Sequence, residues 1–194
     1  MQEKLMSIAA LLIASCMVMI IHEVPKTMVF FILEKKENLG KELLHFFQFI
    51  DPIGLIFCIS GFSGFSKSYV LRAKSNKTNF RLGVTGLLSL FFTAIIGILL
   101  CKYAFLGKNI ASLFWQFIFM ICQFGSVVSM GMFFVNLFPI GVFDMGFLIG
   151  GLSSEKYFSI LRNDYFIKMI LILTVILGII KSLCAGTFLF LYRL

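Results

Sequence analysis

Long apolar stretches separated by short polar segments form the main pattern of this 194-residue chain. A helix needs about 20 apolar residues to cross the hydrocarbon core of a bilayer. The pattern predicts an all-α integral membrane protein, a single polytopic domain over 1–194, with about four to six transmembrane segments. The apolar segments that we consider as spans are 7–33, 43–65, 82–106, 110–138 and 165–191.

The first stretch could be a signal peptide or a retained helix. Its apolar run continues past His22 to residue 33, which is longer than the apolar region of a cleaved signal. The residues before it carry no net side-chain charge, whereas a signal peptide begins with a positive region. We therefore predict an uncleaved transmembrane helix, with a kink at Pro25 because proline removes a backbone hydrogen bond.

The second stretch, 43–65, is interrupted by Asp51-Pro52 and by several glycines. Non-helical backbone at membrane depth must be covered by protein or line a wet cavity. The stretch is therefore either an irregular span or a re-entrant hairpin. Asp51 is expected to be a turn or cap residue rather than a catalytic one.

Basic residues concentrate in the polar segments between the apolar stretches. The segment 66–81 holds five Lys and Arg residues and no acid. Cytoplasmic loops carry such an excess of positive charge, so we place this segment in the cytoplasm. Alternation of the spans then puts 34–42 and 153–164 on the same side and the N-terminus outside. The predicted location is the cell membrane, with several passes.

Composition excludes several classes of protein. The chain is 60% hydrophobic and 13% charged, whereas soluble domains are about a quarter charged. A formal net charge of +8 is typical of nucleic-acid-binding proteins, but the chain has no stripe of basic and aromatic residues. We predict membrane lipids as surroundings and no nucleic-acid partner. The five cysteines lack paired spacing and are expected to be small packing residues.

Ionisable residues inside the apolar stretches are the candidate functional residues. The first stretch contains His22, Glu23 and Lys26, and Asp144 lies within a later apolar segment. Charged groups at membrane depth are costly and by default mark a functional site. Residues four apart share one helix face, so a His-x-x-x-His pair can hold a metal ion. A neighbouring Glu can take a proton from metal-bound water, and a distant carboxylate can be the third ligand.

Several motifs, in this order and spacing, resemble the site-2 protease family of intramembrane zinc metalloproteases, in its compact bacterial branch. The likeness covers roughly residues 10–155, and HEVPK at 22–26 stands where that branch has His-Glu-x-x-His. The other matching segments are Asp-Pro-Ile-Gly at 51–54, Gly-Phe-Ser-Lys-Ser-Tyr-Val at 64–70 (Gly-Trp-Ala-Lys-Pro-Val-Pro in the family), Asn-Phe-Arg at 79–81, and 136–146 for Asn-x-x-Pro-x-x-x-x-Asp-Gly.

The resemblance implies a site-2-protease-like core and assigns roles to individual residues. His22 and Asp144 would be metal ligands, and Glu23 would be the catalytic residue. Asn136 and Pro139 would support the substrate or the site. Zinc would be the cofactor of an active member, and a transmembrane protein would be its substrate or partner.

Three departures from the family pattern bear on activity. Lys26 replaces the second metal-binding His, Met145 replaces the Gly after the aspartate, and 85–90 lacks the Asn that helps to hold substrate in the family. A protonated lysine has no lone pair and repels a cation, and catalytic zinc normally has three protein ligands. Lys26 could instead pair with Asp144, Glu23 or both. The sequence therefore favours a zinc-free pseudoprotease.

Other interpretations stay open. A working zinc metalloprotease would need a neutral Lys26 or another ligand such as His45 or Glu42. A small carrier or channel could use the buried charges along a path, although no internal repeat supports a transporter. In the plainest interpretation, His22-Glu23 is a polar pair at a helix end and Asp144 caps a short helix.

Overall fold

The computed structural model describes residues 2–34, 45–67, 75–104 and 112–193, and all regular elements in these ranges are helical. The all-α class predicted from the sequence is therefore confirmed for the described part of the chain. A 3-10 helix at Phe46–Phe49 precedes the second α-helix, and a π-helical turn at Leu100–Ala104 extends the third. The α-helices are α1 (Gln2–Glu34), α2 (Pro52–Gly61), α3 (Asn76–Leu99), α4 (Leu113–Asn136), α5 (Asp144–Leu152), α6 (Ser154–Arg162), α7 (Asp164–Ile176) and α8 (Ile179–Arg193).

Within those ranges, three helices are long and apolar enough to cross a membrane. They are α1, α3 with its π-helical extension, and α4. The pair α7 and α8 adds a fourth candidate if the two helices, bent by 61° at their junction, form one broken span. The protein thus has the helices of a multi-pass membrane protein, and α1, α3 and α4 pack against one another to form its centre.

The first helix, α1, runs unbroken from Gln2 to Glu34 through Pro25. A proline removes one backbone hydrogen bond, but the bonds on either side hold the helix together. Thr27 Oγ1 also donates to the carbonyl oxygen of Glu23 at 2.9 Å, next to the proline. His22 and Lys26 therefore remain on one continuous helix.

The second apolar stretch enters the bundle and turns back. The α-helix described within it, α2, has ten residues, or about 15 Å of rise, which is half of what a span needs. Asp51 caps α2, because its Oδ1 accepts from the backbone N–H groups of Ile53 and Gly54, each at 2.8 Å. The cap role predicted for Asp51 is therefore confirmed.

The chain after α2 returns to the point where the stretch began. Phe62 ends the helix in the left-handed region, with φ of 56°. The following residues run back beside α2, and Lys67 N donates to Phe49 O at 3.0 Å. This geometry favours the re-entrant hairpin over the irregular span. We call the returning segment, residues 63–67, the return segment.

Two sequence-based boundaries are wrong. Residues 76–81 were predicted as loop but are the first turns of α3, and the polar segment 153–164 contains the helix α6. The polar residues at these places indicate contact with water. The exposed end of a helix can be as polar as a loop, so polarity does not distinguish the two. The last stretch, 165–191, is two helices because Gly178 breaks it with φ of 69°. Segments 35–44, 68–74 and 105–111 lie outside the described residues.

The polar segments that were predicted to share one side do meet at one end of the bundle. Asn76 Nδ2 donates to Ser154 Oγ at 3.4 Å. Glu34, at the end of α1, lines the same cavity as Ser75 and Arg81 at the start of α3. The alternation of spans is consistent with this arrangement, and the cytoplasmic assignment of this end stays a prediction from charge.

Glycines bring α3 and α5 into backbone contact. A Cβ atom at Gly83 would lie 2.5 Å from Asp144 O and 2.6 Å from Leu148 N. At the other end of the contact, a Cβ atom at Gly151 would overlap Phe80. Small residues permit such close helix packing in membranes. The contact places the start of α5 against the middle of the bundle.

Candidate functional site

Three ionisable side chains of α1 point into the interior of the bundle. His22, Glu23 and Lys26 are each no more than 1% exposed, and Asp144, at the first position of α5, is fully buried. Burying a charge is costly unless it is paired and hydrogen-bonded. The four groups therefore need one another as partners, and their distances show that they are in contact.

Lys26 pairs with both carboxylates. Its Nζ lies 2.8 Å from Asp144 Oδ1 and donates to Glu23 Oε1 at 3.0 Å. The ammonium also lies 5.8 Å from the centre of the Phe147 ring, which adds a weaker cation–π contact. The sequence left open whether Lys26 pairs with Asp144, Glu23 or both, and in the structure it pairs with both.

His22 joins the same group through both ring nitrogens. Its Nε2 lies 2.7 Å from Asp144 Oδ2, and its Nδ1 lies 2.8 Å from Ser66 Oγ. Asp144 thus faces Lys26 with one oxygen and His22 with the other. We call His22, Glu23, Lys26, Ser66 and Asp144 the buried cluster.

Ser66 is the member of the buried cluster that sequence reasoning missed. Its hydroxyl donates to Glu23 Oε1 at 2.6 Å and faces His22 Nδ1. The return segment carries it there, held against α2 because a Cβ atom at Gly54 would overlap the backbone of Phe65. One signal was available in the sequence: Ser66 stands where the resembling motif has alanine.

The hydrogen bonds constrain where the protons of the buried cluster lie. A hydroxyl has one proton, so Ser66 must accept from His22 Nδ1–H if it donates to Glu23. His22 Nε2 faces Asp144 Oδ2 at 2.7 Å, so a proton lies between these two atoms as well. A low dielectric favours an arrangement of the protons that leaves the five side chains with no net charge.

Two further residues hold Asp144 in place. A Cβ atom at Gly86 would overlap the carboxyl group of Asp144, so only glycine leaves room for it. Asn136 donates from Nδ2 to Met132 O at 2.9 Å, and its Oδ1 faces the backbone N–H of Asp144 at 3.4 Å. Asn136 therefore supports the start of α5. Phe143 occupies the N-cap position of α5, so the Asp144 carboxylate is not used as a helix cap and can pair with His22 and Lys26.

The remaining residues that were considered as ligands or supports lie outside the buried cluster. Pro139 is half-buried in the turn between α4 and α5. His45 is exposed at the start of the 3-10 helix, and Glu42 lies outside the described residues. Neither Pro139 nor His45 contributes a hydrogen bond to the cluster.

The buried cluster, as arranged, does not fit a catalytic zinc ion. Within the described ranges, no three His, Cys, Asp or Glu side chains are grouped to hold a metal. The nitrogen and oxygen atoms that would coordinate zinc are instead directed at each other and at Lys26 Nζ. The ammonium lies in contact with both carboxylates, and a divalent ion beside it would be repelled.

No protein-family model, curated protein or solved structure matches this chain. The described residues define a helical protein with three or four potential membrane spans and a buried cluster of ionisable side chains at the contact of α1, α3 and α5. The chemistry of that cluster is therefore the main guide to its function.

Proposed function

We propose that this chain is a site-2-protease-like membrane protein without metal, in which the Lys26 ammonium takes the place of the ion. In this proposal it is a pseudoprotease that binds a transmembrane partner without cutting it. The observation that carries the proposal is the position of Lys26 Nζ, 2.8 Å from Asp144 Oδ1 and 3.0 Å from Glu23 Oε1. The motif order described above supports the protease-like scaffold.

An ammonium at this position can replace the structural effect of a cation but not its chemistry. It offsets part of the negative charge of the two carboxylates, whose isolation in the interior would be costly. It has no vacant coordination position and cannot activate water as a metal ion does. One oxygen of Glu23, Oε1, is already bonded to Lys26 and Ser66, and the other, Oε2, has no hydrogen-bond partner among the described residues.

An apolar cavity beside the buried cluster supports the partner-binding part of the proposal. It has a volume of about 280 Å³ and lies between α2, the return segment and α7. Phe65 and Phe143, the chain neighbours of Ser66 and Asp144, form the wall nearest the cluster. Ser63 also lines it, and the buried Ser63 hydroxyl has no hydrogen-bond partner among the described residues. A segment of a partner could fill this space and bond that hydroxyl.

Metal analysis of purified protein tests the proposal. Wild type and Lys26→His would be produced with zinc in the medium and their zinc content measured per chain. We expect zinc in Lys26→His and little in the wild type, because the substitution supplies a third ligand beside His22 and Asp144. Lys168→His, at an exposed ion pair with Asp164, is the matched control. Near-stoichiometric zinc in the wild type would refute the proposal.

A working metalloprotease is the second candidate, and one observation favours it. His22 lies in contact with both acids, 3.3 Å from Glu23 Oε1 and 2.7 Å from Asp144 Oδ2, and Asp144 comes from 122 residues further along the chain. Activity would require Lys26 to move away or lose its proton. Cleavage of a membrane substrate that disappears in Glu23→Gln would establish this candidate in place of the first.

A further inference from the structure

A second ionisable side chain lies in the middle of an apolar helix pair and is not part of the buried cluster. Lys181, in α8, is the only charged residue between Met169 and Tyr192. It lines a groove of about 330 Å³ together with Gln123 and Phe124. These two residues are central in α4, a helix long enough to span a membrane. The groove therefore places Lys181 level with the centre of a span.

The contacts of Lys181 leave its charge without a counter-ion. Its Nζ lies 5.8 Å from the centre of the Phe62 ring, a cation–π contact. In the described ranges it has no ion pair with an acidic residue. The neighbouring Gln123 amide likewise makes no hydrogen bond to a described residue, and both side chains keep part of their surface free.

A lysine in this position is not explained by reaching for the membrane surface. Lysines near helix ends at the membrane surface extend their ammonium to it. Lys181 lies near the start of α8, but that end adjoins α7 at the bend, and the groove shared with Gln123 places it level with the middle of α4. Ionisable residues inside a membrane generally face a partner charge or a wet cavity. The charge of Lys181 and the donors of Gln123 therefore require an acceptor that this part of the chain does not supply.

We propose that this face, the Lys181 groove, docks a transmembrane helix of another protein that carries an Asp or Glu at mid-depth. A carboxylate there would accept from the Lys181 ammonium and from the Gln123 amide. The rest of the groove, which includes Val127 and Ala185, is apolar and suits packing against a helix. Polar contacts of this kind and small residues are what hold helices together in lipid.

Neither a second copy of this chain nor a lipid headgroup fits as well. Among the described acids, Glu23 and Asp144 are buried in the cluster. The others lie at or near helix ends: Glu3, Glu34, Asp51, Glu155 and Asp164. Anionic headgroups lie at the membrane surface and not at the centre of its apolar core. A mid-depth carboxylate of a different protein is the chemistry that matches the groove.

Synthetic transmembrane peptides can test this proposal with the full-length chain. Leucine-based peptides with a central Glu, Gln, Lys or Leu would be labelled, and their binding to the labelled protein in phosphatidylcholine vesicles would be measured by energy transfer. We expect the Glu peptide to bind the wild type about tenfold more tightly than the Leu peptide. In Lys181→Gln this preference should disappear, whereas Lys181→Glu should prefer a peptide with a central Lys.

Lys156→Gln is the matched control, because Lys156 is exposed on α6; it should keep the preference for the Glu peptide. Equal binding of the Glu and Leu peptides to the wild type would overturn the proposal even if the Lys181 variants fail to fold. A preference that survives Lys181→Gln would also overturn it. So would Lys181-dependent self-association in the absence of peptide, or Lys181-dependent selection of phosphatidylglycerol.

The proposal names the chemistry of the membrane partner and rests on the partner-binding part of the proposed function. It does not depend on the metal-free state of the buried cluster. The zinc content of wild type and Lys26→His decides that state without any change at Lys181. The failure of one proposal can therefore be distinguished from the failure of the other.

Discussion

The carboxyl group of Asp144 occupies the space that a side chain at Gly86 would fill. Asp144 therefore reaches His22 and Lys26 only because α3 has no side chain at this position. Gly83, one turn earlier on α3, allows the backbone of Asp144 to approach in the same way. The geometry of the buried cluster thus depends on glycines as much as on its charged members.

Gly86→Ala should displace Asp144 and weaken the buried cluster. Overpacking an interior site typically lowers stability by about 1–3 kcal/mol, and here it would also disturb two ion contacts. Thermal unfolding in detergent, followed by loss of helical signal, measures the effect. Gly125→Ala is the matched control, because a Cβ atom there would contact nothing within 4 Å. Equal stability of the two variants would contradict the packing described for Gly86.

Lys26→Met should be among the most destabilising single changes in the described part of the chain. It leaves Glu23 and Asp144 buried without their ammonium partner, and loss of one member of a buried pair costs about 3–5 kcal/mol. The measurement is unfolding in detergent beside Lys168→Met, which removes a partly exposed ion pair and should have little effect.

The double variant Lys26→Met with Asp144→Asn separates pairing from packing. If Lys26 acts through its charge, adding Asp144→Asn should recover part of the stability lost in Lys26→Met, because fewer unpaired charges remain. Additive losses in the double variant would show that the two residues are not energetically coupled.

Ser66→Ala should weaken the link between the return segment and α1. The change removes the hydroxyl between Glu23 and His22 and leaves buried polar atoms without a partner, at a cost of about 1–3 kcal/mol. Ser60→Ala is the control, since Ser60 is exposed and its hydroxyl only faces the carbonyl of Phe57 at 3.4 Å. A loss of stability no greater than that of the control would argue against a structural role for the Ser66 bridge.

Zinc should stabilise Lys26→His and leave the wild type unchanged. A ligand that binds only the folded state raises stability in proportion to the logarithm of its concentration over Kd. The melting temperature of Lys26→His should therefore rise with added zinc, and Asp144→Asn in the same background should abolish the rise. A rise that persists without Asp144 would mean that the ion binds elsewhere.

The sequence by itself determined the class of fold and the charged members of the cluster. Hydropathy is a local property, so apolar stretches could be identified as helices without knowing how they pack. His22, Glu23, Lys26 and Asp144 stood out for the same reason, because ionisable groups within such stretches are costly. The pairing of Lys26 with the acids could be anticipated, since each buried charge requires a partner of opposite sign.

Only the tertiary structure decided which residues complete the cluster and where the helices end. Ser66 meets His22 across 44 residues of chain, and Gly86 meets Asp144 across the contact of α3 and α5. Neither contact has a local signature, because both depend on how close the backbones approach. Polar composition likewise could not distinguish a loop from the helical turns at 76–81, since polar side chains are equally well solvated in both. Proximity between distant segments is set by packing, which hydropathy along the chain does not record.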